Sequence, residues 1–438
     1  MTIILTALVF SLTAQPEFTP DSIKKACQRV ADGRMKSTMG NGWQGGTYYE
    51  GIMAMYYMTK EKKYVDTTIA WGKYHKWLST SGDTAPTNSD DVGCYQAYVE
   101  AYMQDPKPAN AGWIAAPIVY VKKNTYQILP SWPIVDQYHM SAANFVRVAA
   151  VTGDSVILDS LYKFCATIAV KHYNAKDSLF NSNCGKDTVQ PRDAYWGRGC
   201  GWGVMAQARI LQMLPRGHYS APWYKDKLRA VLYRLLRLQN QTDGMWRSDL
   251  INHPEWNKEV SSTAYFAFGY FYAIRNAIVD SATFIGPAKK AWKGLLDCVG
   301  VDPGQPNLIG WIQGVGGGPS NNFGITNHDE FADGGFFLAG NEFYRLLTEG
   351  VDHGGTAVRL HQNTLAATVN SGIAVKKLNI TGTGCRFALP DNATGFELFT
   401  LSGKKLLARK DIPACETSVA LPAGIRGMAV VRFTYTNQ

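Results

Sequence analysis

A helix–turn–helix unit recurs along most of this chain, and that recurrence limits the fold more than any other feature. From about Asp21 to Gly350, apolar residues return at helical spacing in segments joined by short Gly, Asp and Asn connectors. A weak repeat shows the unit. Residues 51–58, a break at Thr59-Lys60 and a resumption at Tyr64 resemble 142–151, a break at Thr152-Gly153-Asp154 and a resumption at Ile157. Each reads as a helix, a tight turn and a second helix, a unit that buries its apolar face only by stacking on its neighbours. Further helices are expected over 95–103, 203–214, 223–239, 261–279, 287–299 and 334–347. Helices apolar on nearly every side, such as 203–214, belong inside, and charged ones such as 225–237 outside. The predicted fold is all-α, a double ring of alternating inner and outer helices over 16–352. Chemistry is then expected on the long loops at one mouth: 79–90, 181–196, 242–259 and 304–333.

Beyond Gly350 the texture becomes β-like. Runs at 396–401, 404–407 and 428–435, with a turn at Ser402-Gly403, predict a small β-sandwich appendage over 353–438. It holds no catalytic constellation, and a carbohydrate-binding module and a packing cap both fit it. At the other end, 2–14 is an apolar run closing on small residues before Gln15, which reads as a signal peptide over 1–15, although no Lys or Arg precedes it. The expected location is therefore periplasmic or secreted. No later stretch is long and apolar enough for a membrane span.

The net charge of +9 suits an anionic partner, and equally suits simple solubility. Lys and Arg are scattered and no nucleic-acid motif is present, so nucleic acid ranks low as a partner, and an acidic polysaccharide stays open beside solubility alone. Twelve Trp, 23 Tyr and 18 Phe supply flat faces that pack in cores or stack on sugar rings. The eight cysteines show no zinc spacing; Cys184 with Cys200 and Cys385 with Cys415 are conceivable bridges, and buried thiols account for the rest.

Two sets of residues carry candidate chemistry. In the run 196–202, Trp196, Arg198 and Trp202 stand just before an expected helix, with Gly197, Gly199 and Gly201 allowing close backbone approach to a ligand. Arg can grip a carboxylate with two parallel hydrogen bonds while Trp packs on a ring face; a Gly-rich turn with buried tryptophans is the plainer reading. The carboxylates come second. Asp90 and Asp91 open a helix, where Asp is also an ordinary cap. Asp136 precedes the apolar Met140, Ala143 and Ala150, surroundings that raise a carboxyl pKa as a general acid requires; capping is again the alternative. His139 and His328 are isolated, and the Gly-rich 314–318 lacks the Lys-Ser/Thr of a phosphate loop.

Taken in order, the run 43–77, the Asp90-Asp91 helix, Asp136 with Tyr138 and Met140, then 196–202, 239–246, 259–264 and 334–342 resemble the unsaturated rhamnogalacturonyl and glucuronyl hydrolases of glycoside hydrolase families 105 and 88. The resemblance covers about 21–350. It implies a six-hairpin (α/α)6 barrel needing neither metal nor organic cofactor. It also implies a substrate left by polysaccharide lyases: an oligosaccharide ending in a 4,5-unsaturated uronic acid, above all galacturonyl-rhamnose from rhamnogalacturonan. An Asp protonates the vinyl ether, water adds at C5, and the hemiketal opens. By motif, Asp136 matches the catalytic acid/base and one of Asp90 and Asp91 the second acid. Arg198 and Trp202, beside Trp196, match the segment that binds the uronate, and Trp43 lies near an aromatic wall. One departure stands out: several family members carry a His where Leu179, Phe180, Asn181 and Ser182 stand here.

Overall fold

Two segments show the rules that build the helical layers. In 221–238, Tyr224, Leu228, Val231, Leu232 and Leu235 are buried at spacings of three and four, while Lys225, Arg229 and Arg237 face water. In 260–275 every residue is buried, so this helix has no wet face at all. The first is an outer helix and the second an inner one.

The computed structural model describes residues 16–36, 38–125, 135–136, 138–181 and 195–352, together with strands between 373 and 435. Among these are twelve α-helices: α1 (Pro20–Arg34), α2 (Trp43–Thr59), α3 (Lys62–Tyr74), α4 (Tyr95–Gln104), α5 (Ala115–Asn124), α6 (Ala143–Thr152), α7 (Val156–His172), α8 (Gly197–Met213), α9 (Ala221–Leu238), α10 (Val260–Arg275), α11 (Ser281–Leu296) and α12 (Glu330–Glu349). The even-numbered helices pack each on the next, and α12 packs back on α2, so the inner ring closes. Glycine makes that closure possible, since a Cβ on Gly51 of α2 would lie 2.6 Å from the Gly334 Cα of α12. Odd-numbered helices return the chain outside. All six inner helices therefore run in one direction, and their N-termini gather at one mouth.

Buried charge crosses the middle of this ring. The Glu100 carboxylate accepts from Arg147 at 2.6 and 2.8 Å and from Arg209 at 2.6 Å, all three side chains being buried. Removing one partner of such a set leaves an uncompensated charge, which makes the network a strict requirement on the fold.

The chain divides into two compact units, 1–356 and 357–438. In the second unit, β1 (Ile373–Ile380), β2 (Ala393–Thr400), β3 (Lys405–Lys410) and β4 (Gly427–Tyr435) form one antiparallel sheet, in the order β1-β4-β2-β3. Two short strands, 386–388 and 418–420, pair separately. The β runs expected at 396–401, 404–407 and 428–435 overlap β2, β3 and β4.

Three expectations change. The run 196–202 lies within α8, capped by Trp196, and not before it. Its glycines serve helix packing: a Cβ on Gly201 would meet the Tyr265 ring at 2.7 Å, and one on Gly203 the Phe180 ring at 2.3 Å. Cys200 is a buried free thiol. The signal-peptide reading of 1–15, Ser182, Cys184, Cys385 and Cys415 lie outside the described residues. Among the described residues no helix is long and apolar enough to cross a membrane.

Candidate active site

The site residues sit at the gathered N-termini of the inner helices. Trp43 begins α2, and a 3₁₀ turn, Ser89–Val92, carries Asp90 and Asp91 toward α4. Asp136 precedes a π-turn, Tyr138–Ala142, that leads into α6. Arg198 and Trp202 occupy the first turns of α8, Glu259 caps α10 and Asp329 precedes α12. Partial positive charge at six helix starts favours an anion at this mouth.

The two acidic turns are tied together through Asn144. Its side-chain amide donates to Val92 O at 3.1 Å and to Met140 O at 2.8 Å, linking the Asp90 turn to the Asp136 turn. Gln96 of α4 donates to His139 O at 3.0 Å, and Tyr120 bonds Ser141 at 2.8 Å. π-turns of this kind occur mostly at functional sites, where they redirect a side chain.

These ties give the three aspartates different surroundings. Burial, reinforced by the Asp90 carboxylate, pushes Asp136 up to about 7, against a smaller downward pull from Arg198 and the Trp202 indole N–H. Asp136 Oδ2 and Trp202 Nε1 are both buried and unpartnered. Asp90 is pushed up to about 6, by burial first and then by Asp91. Asp91 is raised by burial, against a smaller downward pull from the Ser81 hydroxyl. Sequence reasoning left Asp90 and Asp91 equivalent; of the two, Asp90 is the carboxylate that most raises Asp136.

Arg198 differs from the expected clamp. Its guanidinium lies between the rings of Trp196 and Phe331, 4.5 and 4.8 Å from their centroids. Nη1 donates to Gln313 O at 2.5 Å and Nη2 to Gly314 O at 2.8 Å, leaving Nε as the buried donor without a partner. One N–H of each terminal nitrogen is thus engaged with the Gly-rich loop. Burial lowers its pKa, against Glu259, Asp136 and Asp329, which favour the charged form.

Several contributors were not read from sequence. Gln313 accepts from Trp196 Nε1 at 2.9 Å and from Ser248 Oγ at 2.5 Å, and its backbone N–H donates to Glu259 at 3.1 Å. Asp329 is pushed up to about 7 by burial and by Glu330. Phe331 packs on Trp43 at 4.9 Å, and Trp43 meets Trp202 edge-on at 5.9 Å. None of these has a local motif, and the partners of Gln313 and Phe331 lie far along the chain. Where family members carry a His, Asn181 accepts through its backbone from His172 Nδ1 at 3.1 Å, a ring that burial holds near 4 and hence neutral. Among the described residues no group of three or more His, Cys, Asp or Glu is arranged to hold a metal.

A closed ring of helical hairpins with paired carboxyls at one mouth defines a carbohydrate-active enzyme, and comparison with known proteins makes it a glycoside hydrolase. The profile of Glycosyl Hydrolase Family 88 matches residues 19–347, and the chain belongs to that family. It is 24% identical over 331 residues to the unsaturated 3S-rhamnoglycuronyl hydrolase of Formosa agariphila, a match covering 69% of this chain and 84% of that one. The unsaturated rhamnogalacturonyl hydrolase YesR of Bacillus subtilis is 20% identical over 304 residues, covering 66% and 85%. The solved structure of a family 88 glycosyl hydrolase from Bacteroides vulgatus superposes with a TM-score of 0.68 at 22% identity, covering 75% of this chain and 100% of that one.

Proposed function

We propose that this enzyme removes the terminal 4,5-unsaturated uronic acid from oligosaccharides that polysaccharide lyases leave behind. The observation that carries the reading is Asp136: a carboxyl poised to hold a proton near neutral pH, beside Asp90, at a mouth where six helix starts favour an anion. Its proton passes to C4 while the double-bond electrons form the new C–H bond, and the positive charge at C5 is shared with the ring oxygen. Water adds at C5 and gives its proton to the Asp136 carboxylate, restoring the acid. The hemiketal then opens, C1 becomes a hemiacetal, and the aglycone leaves as an alcohol. Asp90 keeps the Asp136 proton in place. Trp43 and Trp202 wall the sugar, while Arg198 holds the 313–314 loop and keeps its Nε–H without a protein partner.

Unsaturated galacturonyl-rhamnose is the first substrate to test. The rhamnoglycuronyl unit in the name of the Formosa relative is the second, and both place rhamnose next to the uronate. Lyase digests of pectin, ulvan and glycosaminoglycans should show which one loses the ultraviolet absorbance of the double bond. A rise in absorbance with intact polysaccharide would instead identify a lyase, and full activity in Asp136→Asn would overturn the mechanism. Export to the periplasm or medium belongs to the same proposal and is read by cell fractionation.

A further inference from the structure

We propose that the buried His139–Glu50 pair is a positioning device for the catalytic acid: it fixes the plane of the Trp202 indole and thereby holds the Asp136 carboxyl in its working surroundings. The inference rests on the role assigned above to Asp136.

His139 touches the acid's surroundings from two sides. Its backbone N–H donates to Asp136 O at 2.9 Å, so it belongs to the turn that carries the acid. Its ring, fully buried, stacks on Trp202 at 5.1 Å with 21° between planes. Tyr265 packs against the same indole at 4.6 Å and Trp43 meets it edge-on, so its tilt is set by these three neighbours. Trp202 Nε1 is a buried donor and Asp136 Oδ2 a buried acceptor, each without another partner, and the indole lowers the acid's pKa.

What sets the tilt of the imidazole is Glu50. His139 Nε2 lies 3.1 Å from Glu50 Oε1, with both side chains fully buried. Glu50 is itself anchored by Arg209, 3.3 Å away, and Arg209 by Glu100 at 2.6 Å. A phenylalanine would fill the space beside Trp202 without needing a buried carboxylate. Burying Glu50 is unfavourable unless it is paired, so this arrangement brings a fixed ring orientation where packing alone would leave rotation free. The charged groups around the pair are Glu50 on α2, Glu100 on α4, Arg147 on α6 and Arg209 on α8; those facing Asp136 are Asp90 and Arg198.

The test compares His139→Phe, which keeps a ring against Trp202 but cuts the link to Glu50, with the double variant His139→Phe/Glu50→Gln, which also removes the stranded charge. For a positioning role, kcat falls about tenfold with KM nearly unchanged, since small misplacements of a reacting group are costly to rate. The alkaline limb of the kcat profile also moves to higher pH, because an indole free to tilt withdraws its N–H from the Asp136 carboxylate. The double variant should recover thermal stability without recovering kcat or the limb. Two results overturn the proposal: a folded His139→Phe with wild-type kcat and pH limb, or a double variant that regains both along with stability. If His139→Phe does not fold, the double variant decides alone. Carbon-13 NMR of the Asp136 carboxyl, referenced to Asp136→Asn, follows the same shift without substrate. A functional reading that fails in the wild type is thereby told apart from a failure of this one.

Discussion

Asp136→Asn separates the charge of the acid from its chemistry, and the structure gives the size of the effect on stability. Burial holds the folded Asp136 carboxyl near 7, above its ordinary value of 3.8. The native state therefore binds the proton more tightly than the unfolded chain does. Stability is complete below about 4, declines as pH rises through the window from 3.8 to about 7, and above that carries the full penalty of an ionised carboxyl in its buried surroundings. At 1.36 kcal/mol for each tenfold change in acidity, that penalty is about 4 kcal/mol. Asparagine keeps the shape and carries no charge; it also relieves Asp90 of a neighbouring anion, so both effects have one sign. For a helical unit of this size, about 4 kcal/mol corresponds to a rise of about 5 °C in melting temperature. Thermal unfolding of wild type and variant at pH 8 and pH 4 makes the comparison: the variant should melt higher at pH 8, and nearly level with wild type at pH 4. Activity should fall by roughly 10²- to 10⁴-fold, as expected for loss of a general acid. Equal differences at both pH values, or none at pH 8, would refute the claim that the folded protein holds this proton.

Asp90→Asn should lower kcat about 10²-fold and move the alkaline limb to lower pH, because the anion that helps keep Asp136 protonated is gone, whereas Asp91→Asn, which acts on Asp136 through Asp90, should move that limb much less. Arg198→Lys preserves charge but cannot reach both Gln313 O and Gly314 O, so kcat/KM is expected to drop about 10²-fold, checked by steady-state kinetics. Glu100→Ala leaves Arg147 and Arg209 without their shared carboxylate and should destabilise the fold by about 3–5 kcal/mol in chemical denaturation.

The helical hairpins were legible in the sequence because inner and outer helices need different surfaces. In 225–237 charge returns on the wet faces of an outer helix, while an inner helix such as 260–275 admits no wet face at all. The glycine run at 197–203 misled for a definite reason: glycine disfavours a helix locally, yet here Tyr265 and Phe180 press where Cβ atoms would stand. Asp136 was legible from its apolar neighbours. The difference between Asp90 and Asp91 was not, since it depends on Ser81 on one side and on Asp136 on the other.

Glu50, Glu100 and Arg209 show the deeper limit. A charged residue on a helix reads as a surface residue, and only the closing of the ring turns these three inward. The same closure explains why the chemistry lies at one mouth. With hairpins alternating inward and outward, every inner helix must point the same way, so six N-termini and the residues that precede them converge whatever their separation in sequence. Arg198 reaching Gln313, and Glu50 reaching His139, are consequences of that parity. A site built this way carries little local signature, because each helix start contributes one or two residues and the ring supplies the rest.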